Sequence, residues 1–176
     1  MSSAPASIRQ AGYVVRDLDT AISRWLQQTG AGPFVKMTNH RFEGWNYFGK
    51  PQDMVLDIAF AMAGTVMIEL IQPHGPWPSV YGTAEPEEGS YLHHFGFLVD
   101  DIDRAASRLS ATLVTAAKVD DETELRYFDC RNMFGVHFEL ISNTDSAQAF
   151  FELSQNLADE WDGSKPSVRS IEEFFS

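Results

Sequence analysis

The stretch YLHHFGFLVDDIDRAASRLS, residues 91–110, decides the fold, because most of it has a counterpart near the start of the chain. From His94 it reads HFGFLVDDIDRAASRLS, and from Gln10 the chain reads QAGYVVRDLDTAISRWL. Laid together, these pair Gln10 with His94, Tyr13 with Phe97, Val15 with Val99, Asp17 with Asp101 and Ala21 with Ala105. Each copy predicts a strand of alternating character that runs into a helix. Asp17 or Asp101 is placed to cap the first turn, where free backbone N–H groups accept a carboxylate. The repeat closes with a second pair of matching segments, TVMIELI at 65–71 and GVHFELI at 135–141, which sets Glu69 against Glu139.

Between these landmarks lie short segments rich in β-branched and aromatic residues: FEGWNYFG and MVLDIAFAM in the first half, TAAKV and ELRYFD in the second. Each half therefore reads as a βαβββ unit. The predicted fold class is α+β, with two such modules, residues 8–72 and 91–142, forming a curled mixed sheet around a central cavity within one domain, residues 1–142. Residues 143–176 form a C-terminal helical extension. DSAQAFFELSQNLADEW reads as an amphipathic helix, and SKPSVRSIEEFF as a short helix lying across an apolar surface or a partner subunit.

Composition narrows the function. Thirteen Lys and Arg against twenty-five Asp and Glu give a net charge of -12, which disfavours phosphate backbones and anionic lipid surfaces, so no nucleic-acid or membrane partner is expected. With 44% hydrophobic residues in 176, the chain can bury a proper core. The longest apolar region, VLDIAFAMAGTVMIELI, is interrupted by Asp57, Gly64 and Glu69 and suits two strands better than a membrane helix. MSSAPASIRQ lacks the basic start and apolar run of a signal peptide, and the single cysteine, Cys130, cannot form an internal disulfide; a cytoplasmic location is expected. Cys130 reads as a small buried hydrophobe. The glycines of TGAGPF follow a helix and lack the strand-first context of a dinucleotide loop.

Strand periodicity selects the candidate site. Successive side chains of a strand point to opposite faces. His94, Gly96 and Leu98 thus share one face, and His93, Phe95, Phe97 and Val99 the other, which is the bulky face expected to lie under the helices. His94 then looks into the cavity and His93 is packed or solvent-facing. By the same rule Gln10, Glu69 and Glu139 face inward, with His137 beside Glu139. A carboxylate within an apolar strand is costly unless paired, hydrogen-bonded, protonated or bound to metal, and this chain has one at the equivalent place in each half. If the modules pack about a pseudo-twofold axis, Gln10, Glu69, His94 and Glu139 converge as three oxygen donors and one imidazole nitrogen, a set suited to a hard or borderline divalent ion. The bland alternatives are a metal-free hydrogen-bonded histidine at 94 and a simple strand glutamine at 10.

The pieces QAGYVVRDLDTAISRWLQQTGAGPF, IELIQP, LHHFGFLVDDIDRA and FGVHFELI, in that order over residues 8–142, resemble the vicinal oxygen chelate superfamily, the glyoxalase, bleomycin resistance and dioxygenase fold. In that family one metal ligand comes from the first strand of each module and one from the last. By position the resemblance implies Gln10, Glu69, His94 and Glu139 as ligands and a divalent metal cofactor such as Zn, Ni, Co, Mn or Mg. The set is most similar to those of glyoxalase I and methylmalonyl-CoA epimerase. It implies a metal-dependent lyase or isomerase in which Glu139 and Glu69 move a proton beside a metal-polarised carbonyl, with Glu139 slightly favoured as base. A metal-free binding or resistance protein for an apolar or aromatic small molecule is the first alternative, and Gln10 in place of the His of many relatives points that way. An iron-dependent dioxygenase is the second; it is disfavoured because only one of the four residues is histidine. The resemblance also implies pairing as a homodimer.

A small-molecule substrate is expected in either case. His137, Trp45, Tyr47, Phe60 and Trp77 are the candidate pocket residues, with Phe34, Phe42 and Tyr81 in regions that can line or cover it. His40 and His74 are read as loop residues.

Overall fold

The computed structural model describes residues 7–87, 89–164 and 167–174. Met1–Ala6 of MSSAPASIRQ and Lys165, Pro166 and Phe175 of the tail lie outside the described residues. The first module runs β1 (Gln10–Val15), α1 (Leu18–Thr29), β2 (Phe34–His40), the two-residue pair β3 (Asn46–Tyr47) and β4 (Lys50–Pro51), β5 (Leu56–Ala63) and β6 (Val66–Pro73). The second runs β7 (Ser90–Val99), α2 (Ile102–Ala106), β8 (Thr112–Lys118), β9 (Glu124–Asp129), α3 (Arg131–Phe134) and β10 (His137–Ser142). The extension adds α4 (Asp145–Glu160), β11 (Val168–Ser170) and α5 (Ile171–Phe174).

Both module helices start where the repeat predicts. Asp17 Oδ1 accepts the Thr20 N–H at 2.6 Å and Asp101 Oδ1 accepts the Arg104 N–H at 2.9 Å, so each carboxylate satisfies a first-turn donor that the helix leaves free. α1 ends at Gly30, whose φ of 71° is a left-handed conformation that returns its N–H to the Leu26 carbonyl.

One nine-stranded mixed sheet, in the order β11-β2-β5-β6-β1-β7-β10-β9-β8, carries both modules. Its two halves mirror each other: β1 pairs in parallel with β6 and β7 in parallel with β10, while β1 and β7 join the halves antiparallel. Alternation divides the side chains between two faces. On the outer face Ala11, Val15, Ile68 and Leu70 pack with Leu18 and Ile22 of α1, and Phe128 and Leu140 with Ile102 of α2 and Cys130. On the inner face Val14, Ile58, Phe60, Met67, Ile71, Leu125, Tyr127 and Ile141 form the largest cluster.

Three local readings change. The strand that follows α1 is FVKMTNH, which is β2, and His40 ends it instead of lying in a loop; FEGWNYFG supplies only β3 of the small β3–β4 pair, a bridge from Glu43 to Lys118 and the turns around them. That segment crosses to the other module, where the Phe48 N–H donates to the Val114 carbonyl at 2.7 Å and Asn46 Nδ2 to the Ala116 carbonyl at 2.9 Å. The tail holds more than helix: β11 adds to the edge of β2 in parallel, pairing Val168 with Phe34. Phe34 itself is fully buried on the outer face, in the cluster that packs under α1. Among the described residues no helix is long and apolar enough to cross a membrane.

Candidate metal centre

The seam between the halves brings the sequence candidates together. β1 and β7 pair so that Gln10 lies opposite Gly96 and Gly12 opposite His94. β6 sets Glu69 beside Gly12, and β10 sets Glu139 beside Gly96. Each module's carboxylate therefore neighbours a glycine, and that glycine faces the other module's first-strand residue. The glycines are required by space: a Cβ on Gly12 would overlap the His94 ring, 1.9 Å from Cε1, and one on Gly96 would stand 2.9 Å from Gln10 Cβ and 3.4 Å from Glu139 Oε2.

All four side chains are buried. Gln10 Nε2 donates to Glu69 Oε2 at 2.7 Å. His94 Nε2 lies 3.2 Å from Glu69 Oε2 and 3.2 Å from Glu139 Oε2. Those separations are charge contacts without hydrogen-bonding alignment, and His94 Nε2 and Glu139 Oε2 are both left buried with no hydrogen-bond partner among the described residues. Orphaned buried polar atoms are costly, and two aimed at the same point are the arrangement a cation relieves. One ligating atom from each of Glu69, His94 and Glu139 falls within 4.8 Å of the others, so these three can hold a divalent ion. Gln10, as oriented, donates to Glu69 and steadies its carboxylate; serving as a fourth ligand would require its amide to turn and present Oε1.

The electrostatics agree with a site built for positive charge. Burial raises the Glu69 carboxyl above its ordinary range, with His94 and Gln10 pulling it partly back. Burial would lower the His94 imidazole, but Glu139 and Glu69 override it and raise the group to about 9. Without metal, an imidazolium at His94 supplies the cation that the carboxylates demand.

His93 corrects the alternation argument. The β1–β7 pairing passes from Tyr13 opposite Leu92 to Gly12 opposite His94, so His93 is an extra residue in a bulge. The bulge turns its ring to the inner side, where it stacks on His137 at 4.5 Å and meets the rings of Tyr81 and Tyr127 at 5.1 and 5.7 Å. Burial holds His93 well below the ordinary imidazole range, and His94 and His137 add to the effect; burial first, then Arg131, lowers His137 to about 4. Folded protein thus keeps these two imidazoles neutral while unfolded chain protonates them below about 6.5. The contribution of His137 to stability is full above that value and is lost as the pH falls through about 4, and His93 acts in the same direction. Urea unfolding of the wild type is expected to show this acid loss, on the order of 3 kcal/mol from His137, and His137→Phe is expected to flatten it over the same window. An unchanged slope in that variant would show that His137 is not the titrating group.

Of the pocket candidates, Trp45 and Phe60 belong to the inner cluster, and Tyr47 and Trp77 pack against it. His137 is buried beside His93. Trp45 reaches this side because its loop is clamped to β8; its ring lies 5.8 Å from Tyr81 and 6.4 Å from Tyr127. Sequence reading overlooked Tyr127, which sits opposite Glu139 in the β9–β10 register with its ring 5.1 Å from that of His94. It also overlooked Phe150 and Phe151 of α4: Phe150 meets Phe60 at 5.2 Å, and Phe151 enters the inner cluster. The FF pair within an amphipathic helix was the available signal.

Residues 9–128 match the sequence profile of the Glyoxalase/Bleomycin resistance protein/Dioxygenase superfamily. No curated protein matches the chain. Among solved structures, methylmalonyl-CoA epimerase from Mycobacterium tuberculosis is similar at 19% identity and a TM-score of 0.54, over 84% of this chain and 97% of that one. A methylmalonyl-CoA epimerase in complex with methylmalonyl-CoA and NH4+ is similar at 16% identity and a TM-score of 0.54, over 80% and 96%. The protein BH1468 from Bacillus halodurans C-125 is similar at 14% identity and a TM-score of 0.52, over 81% and 97%. At these identities the likeness is one of fold.

Proposed function

Since the chain belongs to the glyoxalase, bleomycin resistance and dioxygenase superfamily, we propose that it is a metal-dependent lyase or isomerase that moves a proton on the carbon next to a carbonyl. Glu69, His94 and Glu139 are its metal ligands, and the observation that carries the reading is the pair of orphaned atoms, His94 Nε2 and Glu139 Oε2, at a fully buried focus of two carboxylates. A bound divalent ion would act there as a Lewis acid, polarising the substrate carbonyl and acidifying the neighbouring C–H.

The chain's own residues supply the remainder. Glu69 is tethered by the Gln10 amide, whereas Glu139 Oε2 accepts no hydrogen bond among the described residues, so Glu139 is the carboxylate that would leave the ion to take the substrate proton and Glu69 the one that holds position. One imidazole with two carboxylates departs from the two-histidine, one-carboxylate set of non-haem iron oxygenases, which supports proton transfer over oxygen chemistry. The aromatic wall of Trp45, Tyr81 and Tyr127 supports an apolar or aromatic body on the substrate and excludes water from the proton being moved. The epimerase structures support the same reaction class, and an acyl thioester joins hydroxy ketones and thiohemiacetals among the substrates to test.

The test has two stages. Chelator-stripped protein is incubated with zinc, nickel, cobalt, manganese or magnesium, and metal per chain is measured; uptake near one ion per chain is expected, lost in Glu139→Ala. Loaded protein is then incubated in deuterium oxide with a panel of those carbonyl compounds, and hydrogen exchange beside the carbonyl is followed. Glu139→Gln is expected to slow exchange by roughly 10²–10⁴-fold with the fold retained. Exchange that survives in Glu139→Gln would remove Glu139 as the base. Stoichiometric metal with no exchange on any compound would favour a binding protein of the same fold.

A further inference from the structure

Resting on the metal-centre reading, we propose that His93 is a positioning residue: it fixes the hydrogen on Nδ1 of His94, so that Nε2 presents its lone pair to the ion held with Glu69 and Glu139. The path is continuous. His93 Nε2 lies 2.9 Å from the Val80 carbonyl oxygen, and His93 Nδ1 lies 3.0 Å from His94 Nδ1. A carbonyl can only accept, so the hydrogen of a neutral His93 is on Nε2 and its Nδ1 carries a lone pair. That lone pair accepts the His94 Nδ1–H. Neutral His94 is then left with its lone pair on Nε2, the atom that stands 3.2 Å from each of the two carboxylates. Run the other way the chain fails, because a hydrogen on His93 Nδ1 would leave the Val80 carbonyl facing a lone pair.

The fold invests in holding His93 there. The bulge in β7 brings it to the inner face. His137 stacks on it with the rings 26° apart, and Tyr81 and Tyr127 close its sides. Val80 belongs to the segment joining the two modules, and this segment is pinned next door by Tyr91, whose hydroxyl donates to the Tyr81 carbonyl at 2.6 Å. The carbonyl that ends the chain is therefore fixed relative to β7, and so is the imidazole that depends on it. A histidine ligand whose second nitrogen is anchored in this way keeps its orientation and tautomer, and loss of such an anchor typically weakens metal binding 10–100-fold.

Cobalt(II) titration of the full chain, followed by visible absorption, tests the inference with His93→Phe and His93→Asn. Phenylalanine keeps the ring and removes the acceptor; asparagine places an amide oxygen near the position of Nδ1. His93→Phe is expected to weaken cobalt binding about 10–100-fold, and His93→Asn is expected to restore it to within about threefold of wild type. Nitrogen-15 spectra of the zinc-loaded wild type are expected to show His94 protonated at Nδ1 and coordinated through Nε2, a signature that a merely structural role would not fix and that needs no variant to fold. Equal cobalt affinity in wild type and His93→Phe, equal losses in both variants, or a His94 coordinated through Nδ1 would each overturn the role of His93 and leave the metal centre standing. A wild type that takes up neither metal would overturn the metal centre and the inference together.

Discussion

Gly12→Ala is expected to abolish metal binding while changing a single methyl group. The Cβ it adds overlaps the ring of His94, 1.9 Å from Cε1, and that ring is fully buried. His94 is held through Nδ1 by His93 and flanked by Tyr127, so the strain passes either to the β1–β7 seam or to the imidazole itself. Overpacking of this kind costs typically about 1–3 kcal/mol. A displaced imidazole also loses its alignment with Glu69 and Glu139, so cobalt affinity is expected to drop more than about 100-fold. Gly96→Ala is the graded control. Its added methyl meets Gln10 Cβ at 2.9 Å and Glu139 Oε2 at 3.4 Å, contacts that small shifts of side chains relieve. Thermal melts and cobalt titrations of both variants should therefore rank Gly12→Ala well below Gly96→Ala. The reverse order would mean that His94 does not occupy the space above Gly12.

His94→Ala is expected to be the most damaging change to the metal-free protein. It leaves the buried carboxylates of Glu69 and Glu139 facing each other with no compensating charge, a defect worth on the order of 3–5 kcal/mol. The pH dependence separates this electrostatic loss from a simple cavity. His94 is raised to about 9 in the folded protein, above its unfolded value, so its contribution is complete below about pH 6.5 and is lost as the pH rises through 9. The gap between wild type and His94→Ala in urea unfolding should accordingly narrow on the alkaline side of 9. A gap independent of pH would mark a packing defect. Metal binding has the opposite sign: the proton on His94 must leave before Nε2 can coordinate, so affinity in the wild type should climb as the pH rises toward 9.

Much of this site was legible in the chain because its determinants are local. A carboxylate placed mid-strand at 69 and again at 139 violates the apolar pattern around it, and the repeat aligns the two violations. Period-two alternation then put Gln10, Glu69, His94 and Glu139 on one face, where they are found. The caps at Asp17 and Asp101 were equally readable, since a capping carboxylate acts three residues away. The exception was His93. Alternation assigns faces by counting, and one inserted residue in β7 resets the count; nothing in LHHFG marks the insertion, because a bulge is defined against the partner strand.

The sequence by itself determined the two-module plan, the residues that meet at the seam and the chemistry they can offer, since these follow from periodicity, repetition and the cost of burying charge. Only the tertiary structure decided that Gln10 donates to Glu69, that the segment around Trp45 crosses to the second module and that Phe150 of α4 lies against Phe60. It also decided that β11 extends the sheet and that both histidines of the HH pair face inward. Each of these depends on register and contact between segments far apart in the chain, which no local pattern encodes.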